Sequence, residues 1–213
     1  MSLFSRLFGG KPAMPAYTSD ELTINGKTLK LTFFAHASVA LEYEGRHIYI
    51  DPVMGNAEYD KLPKADMILV THSHYDHFDM AAIEALQTPD TRILLDKTSA
   101  EGFQGDCYTM LPGAKAEPFA DIKVEAVAAY NTSEAQLQFH PKEREDCGYV
   151  VVLDDAVRIY FSGDTEPTPE LRALQGIDIA FVCVNQPYTM KPEQAVEAVK
   201  ALRPQIYYPY HYG

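Results

Sequence analysis

Tryptophan is absent from this chain and cysteine is scarce, with three in 213 residues. Cys107, Cys147 and Cys183 lie far apart and form no C-x-x-C pair. That spacing excludes a disulfide-built scaffold and suits a reducing compartment, so a cytoplasmic location is expected. Cys183 sits in the apolar run Ala180-Phe181-Val182-Cys183-Val184 and reads as a buried, inert thiol. No stretch of eighteen apolar residues exists, so no helix is expected to cross a membrane. The opening ten residues are apolar but broken by Arg6, and they are too short for a secretory signal core. A loosely ordered terminus is the expectation there, with a small packing helix as the alternative. Positive charge is also in short supply, 18 Lys and Arg against 30 Asp and Glu, for a net charge of −12. A nucleic-acid partner is therefore not expected, since phosphate-backbone affinity leans on Lys and Arg. Repeats, low-complexity tracts and dividing linkers are missing too. The chain reads as a flexible segment, residues 1–20, followed by one domain, residues 21–213. Oligomeric state is left open, a homo-oligomer included.

What the chain does have is a 46% hydrophobic fraction, enough for a real core, arranged in a regular alternation. Strands are predicted over 28–34, 38–43 and 47–50, with Glu44-Gly45-Arg46 as the turn between the last two. Further strands are predicted over 67–70, 92–95, 122–128, 149–153, 157–161, 177–184 and 206–208. Helices are predicted over 80–86, 98–103, 169–174 and 192–202. Pro192 suits the first turn of the last helix, and Arg203-Pro204 closes it. Strand groups broken by helices in both halves imply two sheets packed face to face with helices outside.

The most informative run is Thr71-His72-Ser73-His74-Tyr75-Asp76-His77-Phe78-Asp79. His72, His74, Asp76 and His77 place four good metal ligands within six residues. Imidazole nitrogens suit zinc, iron and similar borderline ions, and the carboxylate adds harder character. Without a cation such a cluster would lose solvation and suffer repulsion whenever its histidines charged. The apolar run Met67-Ile68-Leu69-Val70 precedes it, so a buried strand delivers the first histidine at its end. Two more polar groups stand in the same relation to a strand, Asp164 in Ser162-Gly163-Asp164-Thr165 and His211 in Pro209-Tyr210-His211-Tyr212-Gly213. Ligands at the tips of several strands converge at one edge of a sheet sandwich.

These residues resemble the metallo-β-lactamase superfamily of metal-dependent hydrolases, whose H-x-H-x-D-H signature is met by His72, His74, Asp76 and His77. The resemblance runs from about Leu31 to the last residue. More narrowly the chain is similar to the branch that includes L-ascorbate-6-phosphate lactonases. His36-Ala37-Ser38, Ile50-Asp51-Pro52, Gly163-Asp164-Thr165, Tyr188-Thr189-Met190 and the terminal Pro209-Tyr210-His211-Tyr212-Gly213 carry that likeness. The resemblance implies an α+β fold, a four-layer αβ/βα sandwich of two mixed sheets with outer helices. It implies two divalent metal ions, zinc or manganese with iron as a further option. His72 and His74 would hold the first, Asp76, His77 and His211 the second, and Asp164 would bridge them. A shared water becomes hydroxide near neutral pH between two such cations, and Asp76 can orient it or take its proton. The implied reaction is hydrolysis of a small, anionic ester, lactone or phosphoester, such as a lactone of a sugar phosphate.

One departure from the family pattern matters. A third histidine usually completes the first metal position, and the matching place here reads Ala128-Ala129-Tyr130-Asn131. Asn131 offers a harder carbonyl oxygen, and His140 lies nine residues further on, so either could complete the set. If neither does, a weakly metallated, non-catalytic protein that binds a ligand or partner is the alternative. Asp51 is expected to accept a hydrogen bond from a ligand histidine and fix its ring. Asp79 is expected to cap a helix. His36 and Tyr188 are expected at the site's edge, His36 facing it or satisfied in the core, Tyr188 touching substrate or simply packing. Lys191 stands where a better cap would precede Pro192.

Overall fold

Residues that alternate between two burial faces sort into two sheets in the computed structural model, which describes residues 16–212. The first sheet runs in chain order through β1 (Thr18–Ile24), β2 (Lys27–Phe33), β3 (Val39–Tyr43), β4 (Arg46–Ile50), β5 (Met67–Val70), β6 (Arg92–Asp96) and β7 (Tyr108–Met110). Its first four strands pair antiparallel and β4 to β7 pair parallel. The second sheet holds β8 (Lys115–Phe119), β9 (Ile122–Ala128), β10 (Cys147–Leu153), β11 (Val157–Phe161), β12 (Ile179–Cys183) and β13 (Ile206–Tyr210). It repeats the plan, antiparallel from β8 to β11 and parallel from β11 to β13. Both sheets are therefore mixed, as expected.

Strand β5 shows how the layers form. All four of its residues are buried, which a strand covered on both faces requires. Met67 and Leu69 face the core that also holds Val124, Val151 and Phe161 of the second sheet. Ile68 and Val70 face outward, against Ile83 and Leu86 of helix α1 (Met80–Leu86). The short helix α2 (Lys97–Gly102) follows β6, and α3 (Pro169–Arg172) follows β11. Helix α4 (Pro192–Leu202) sends Ala195, Ala198 and Leu202 into the core beside β12.

The parallel strands matter most for function. β4, β5, β11, β12 and β13 all point their C-terminal ends toward one edge of the sandwich. Hydrogen bonds tie the sheets together there: Tyr149 Oη donates to the Val70 carbonyl (2.8 Å), Cys147 N to the Thr71 carbonyl (3.0 Å) and His211 N to the His36 carbonyl (3.0 Å). Close approach also fixes two glycines. A Cβ on Gly148 would lie 2.6 Å from the Ser162 carbonyl oxygen. Gly163 has φ +59 and packs its backbone against Thr71, so the strand-end turn that presents Asp164 suits glycine alone.

Four predicted elements, 67–70, 80–86, 122–128 and 192–202, have the observed bounds. Three strands were not expected. β1 has a polar pattern and starts inside the segment 1–20 read as flexible, but it pairs along seven residues with β2. β7 has only three residues. β8 contains Pro118, which removes a ladder donor and accompanies a register shift between Ala116 and Phe119. Short, polar or proline-bearing edge strands carry little periodic signal, and their pairing comes from the neighbouring strand. The candidate helix over residues 1–10 lies outside the described residues.

Candidate metal centre

Thr71 begins the site because its backbone is already anchored. Its N–H donates to Asp51 Oδ1 (2.8 Å) and its hydroxyl to Asp51 Oδ2 (2.7 Å). Asp51 ends β4 and is fully buried, so its charge needs these donors. Beyond Thr71 a single turn gathers the cluster, with the amides of His77 and Phe78 both donating to the His74 carbonyl (3.0 and 2.8 Å). Asp79 then starts α1 as its N-cap, accepting from Ala81 N (2.9 Å), while its other oxygen accepts from Met54 N (2.9 Å). That cap is the expected role.

Three overlapping groups of ligand atoms result, each within 4.8 Å of one another. His72, His74 and His140 form one. His36, Asp76, His77 and His211 form a second. His72, His77 and Asp164 join them. Asp164 reaches both sides: its Oδ2 lies 3.3 Å from His140 Nε2, and its Oδ1 lies 3.4 Å from His77 Nε2 and 3.3 Å from His211 Nδ1. Residues separated by as many as 175 positions, from His36 to His211, thus meet at one edge.

His140 joins His72 and His74 because the loop between β9 and β10 folds back on itself. Asn131 N donates to the His140 carbonyl (2.8 Å), closing the nine-residue excursion that starts at Asn131. The His140 ring centroid comes to 5.0 Å from that of His72 and 4.8 Å from that of His74. The Asn131 amide nitrogen braces the loop, its Nδ2 donating to the carbonyls of Gln136 (3.0 Å) and Tyr188 (2.7 Å), while its Oδ1 is buried without a hydrogen-bond partner. Of the two alternatives, the geometry favours His140 as the third member and makes Asn131 a brace of its loop.

Two buried carboxylates stand behind the imidazoles. Asp51 Oδ2 lies 2.7 Å from His77 Nδ1, the expected contact, and it leaves His77 Nε2 turned toward the centre. Asp146 was not anticipated. Its Oδ2 accepts from Arg144 Nε (2.9 Å) and lies 3.6 Å from His140 Nδ1. In the sequence it ends the charged run Lys142-Glu143-Arg144-Glu145-Asp146, which reads as a solvated loop. Glu166 was also missed. Fully buried, it accepts from the amides of Thr132 and Ser133 (2.6 Å each), from the Ser133 hydroxyl (2.6 Å) and from Gln194 Nε2 (2.7 Å). It thereby anchors the base of the His140 loop to α4. The amide of Lys191 is satisfied by Gln194 Oε1 (2.8 Å), so a side chain three residues on does part of the capping.

His36 faces the site rather than a sealed core. Its Nε2 lies 3.0 Å from Asp76 Oδ2, and its ring centroid lies 3.9 Å from that of His211. His36, Asp51 and His211 all have positive φ (56, 45 and 53), a conformation L-residues rarely adopt. Such strain collects where surrounding structure over-determines a functional geometry.

Electrostatics follow from burial and these contacts. Burial, followed by the charge of His77, holds His72 well below the usual imidazole range. Burial alone would push Asp164 up, but His77 and His211 hold it well below the ordinary carboxylate range. Burial opposes the charged form of His77, but Asp164 and Asp51 hold its imidazole well above the usual value. Burial likewise opposes the Asp76 charge, and His211 and His36 outweigh it to keep the group ionised.

The donor set fits divalent cations. His72 Nε2 lies 3.1 Å from His74 Nδ1, and His77 Nε2 lies 3.1 Å from His211 Nε2. With His77 Nδ1 directed at Asp51, its Nε2 is the nitrogen left for a cation to take in place of a proton. Asp164 Oδ1 is buried with no hydrogen-bond donor. Buried imidazole nitrogens crowded this closely around a carboxylate are what a cation satisfies. Above them opens a cavity of about 810 Å³, with Asn56, Tyr75, Phe139, Asn185, Gln186 and Tyr188 along its walls. Tyr188 is half-exposed there and stands edge-on to Phe139, their centroids 5.0 Å apart. A second cavity of similar size lies behind the loop, where Lys142 bonds to Tyr130 and Glu170, and only Asp146 is shared with the site.

The chain is similar to known proteins over most of its length. Residues 30–211 match the family described as the beta-lactamase superfamily domain. A Desulforamulus reducens protein named UPF0173 metal-dependent hydrolase is 31% identical, over 87% of this chain and 85% of its own length. A solved structure from Parabacteroides distasonis is 42% identical, with a TM-score of 0.89 over 93% of this chain and 89% of that one. Igni18, described as a novel metallo hydrolase from Ignicoccus hospitalis, is 27% identical, with a TM-score of 0.70 over 87% and 83%.

Proposed function

We propose a two-metal centre and a small ester-type substrate for this chain, which belongs to the metallo-β-lactamase superfamily and, within it, to the UPF0173 metal-dependent hydrolases. The chain is a metal-dependent hydrolase; which residues hold the metals, and what is hydrolysed, is our reading. His72, His74 and His140 hold one ion, Asp76, His77 and His211 the other, and Asp164 lies between. The single observation that carries this is the position of Asp164, within 3.4 Å of His140, His77 and His211 at once. Divalent cations there would acidify a shared water and polarise the scissile carbonyl or phosphoryl oxygen. Zinc, manganese and iron all suit the mixed imidazole and carboxylate set.

The protein's own groups do the rest. Asp51 fixes the His77 ring and Asp146 stands behind His140, so neither imidazole has to reorganise during reaction. Asp76, partly exposed to the cavity, accepts the proton of the attacking water at Oδ2 and returns one to the leaving group. His36, 3.0 Å from that oxygen, orients the carboxylate. The substrate is a small ester, lactone or phosphoester, and the lactonase-like motifs make a sugar lactone one such molecule. The alternative of a weakly metallated binding protein rested on an empty third histidine position, and His140 stands close enough to fill it.

Metal analysis tests the reading. The parent, loaded with Mn²⁺ or Zn²⁺, should hold two equivalents and hydrolyse a generic aryl ester or phosphodiester. Asp164→Ala should hold at most one and lose about 10³-fold in kcat, the effect of removing several kcal/mol of transition-state stabilisation. Full turnover with a single equivalent in the parent would overturn the two-metal assignment.

A further inference from the structure

The walls of the cavity are as specific as its floor. Among the described residues no lysine or arginine lines it. Arg144, the nearest candidate, is bonded to Asp146 (2.9 Å) and Ser73 (3.2 Å) and does not line the cavity. Three side-chain amides do line it, and two of them already have an N–H engaged with the protein. Asn56 Nδ2 donates to Ser38 Oγ (2.8 Å), Gln186 Nε2 to the Thr189 carbonyl (2.9 Å), and Asn185 Nδ2 lies 3.4 Å from His211 Nδ1. None of the three carbonyl oxygens accepts a hydrogen bond from a described residue. Each amide keeps its carbonyl oxygen and at least one further N–H for a ligand, neutral groups that recognise hydroxyls and amides. The remaining wall is aromatic. Phe139 and Tyr188 stand edge to face, and Tyr75, 88% exposed, stands at the rim.

We infer that any negative charge on the substrate sits at the group being hydrolysed, and that the rest is an uncharged, hydroxyl- or amide-bearing body with an apolar face. The inference rests on the proposed site and narrows it. A second phosphate, away from the reacting bond, would find neutral amides and π-faces instead of a counter-charge. An unpaired anion of that kind is penalised, as are carbonyls left without donors. A free sugar lactone fits these walls, and its phosphate ester does not. Gln186 is the wall residue to change, since it is exposed and is not one of the candidate ligands.

A matched pair of probes separates the outcomes, a neutral hexonolactone and its 6-phosphate, assayed with the metal-loaded protein. The neutral lactone should have a kcat/KM at least about tenfold higher, the scale of a mismatched polar contact. Gln186→Lys should shrink that ratio about tenfold through a lower KM for the phosphorylated member. Calorimetry with the two ring-opened acids reports recognition whether or not either lactone turns over, and the unphosphorylated acid should bind more tightly to the parent. Equal or tighter binding of the phosphorylated acid, a parent preference for the phosphorylated lactone, or a ratio unmoved by Gln186→Lys would each overturn the inference. Failure of the site assignment itself would show separately, as turnover retained in Asp164→Ala.

Discussion

The two halves of the candidate centre are built differently. His211 directly follows β13, and His77, in the turn after β5, has its ring held at 2.7 Å by the buried Asp51 that follows β4. His140 hangs from an eighteen-residue connection between β9 and β10, residues 129–146, and its backing carboxylate, Asp146, is more distant at 3.6 Å. That loop keeps its shape through Asn131, through Glu166 and through the amide pairs already described. A strand-end ligand takes its position from the sheet, whose pairing is fixed by many neighbours. A loop ligand depends on a few polar contacts, each easily removed. The first metal position should therefore be the weaker and more adjustable of the two.

The largest effect should come from the strand-held half. His77→Ala should abolish turnover while circular dichroism and thermal melting show little loss of fold. A variant that kept full activity would show that the second position is not used. The loop-held half should respond more gently and in two distinguishable ways. His140→Ala should lower metal content by one equivalent with the melting temperature of the metal-free protein nearly unchanged. Asn131→Ala leaves the imidazoles in place but strands two buried carbonyls, so about 1–3 kcal/mol of stability should go with a smaller metal loss. If Asn131→Ala instead removed a full equivalent and His140→Ala did not, the assignment of the third ligand would be reversed.

The smallest effect concerns pH and the loop anchor Glu166. Burial opposes its charge, but the Ser133 and Gln194 side chains and the Thr132 and Ser133 amides outweigh it and bring its pKa down to about 2. A carboxylate depressed from about 4.5 contributes stability fully above that value and loses it as pH falls toward 2. The parent should thus lose stability between pH 5 and about 2 more steeply than Glu166→Gln, read by urea unfolding at stepped pH. Equal slopes would mean that the amide network does not favour the ionised form.

Much of the fold was legible because it rests on periodicity. Met67-Ile68-Leu69-Val70 is apolar on both faces, as a central parallel strand must be, and its bounds follow. Helix α4 has Pro192 at its first turn and ends before Pro204, so its bounds follow too. β1 was invisible because its exposed, polar residues carry no burial signal and it is a strand only through its partner β2. The same division runs through the site. His72, His74, Asp76 and His77 are adjacent in sequence, and their density alone indicates metal. Asp146 and Glu166 look like ordinary surface charges until the loop closes over them.

From the sequence alone came the ligand types, the strands that carry most of them and the chemistry that such a cluster performs. Only the packed structure decided that His140 closes in on the other imidazoles while Asn131 braces its loop, that Asp146 stands behind one ring as Asp51 does behind another, and that the cavity wall offers neutral amides and aromatic rings rather than cations. The reason is physical. Local propensity and periodicity act within a few residues, whereas a ligand set and a recognition surface depend on distances between segments that only sheet pairing and loop closure bring together.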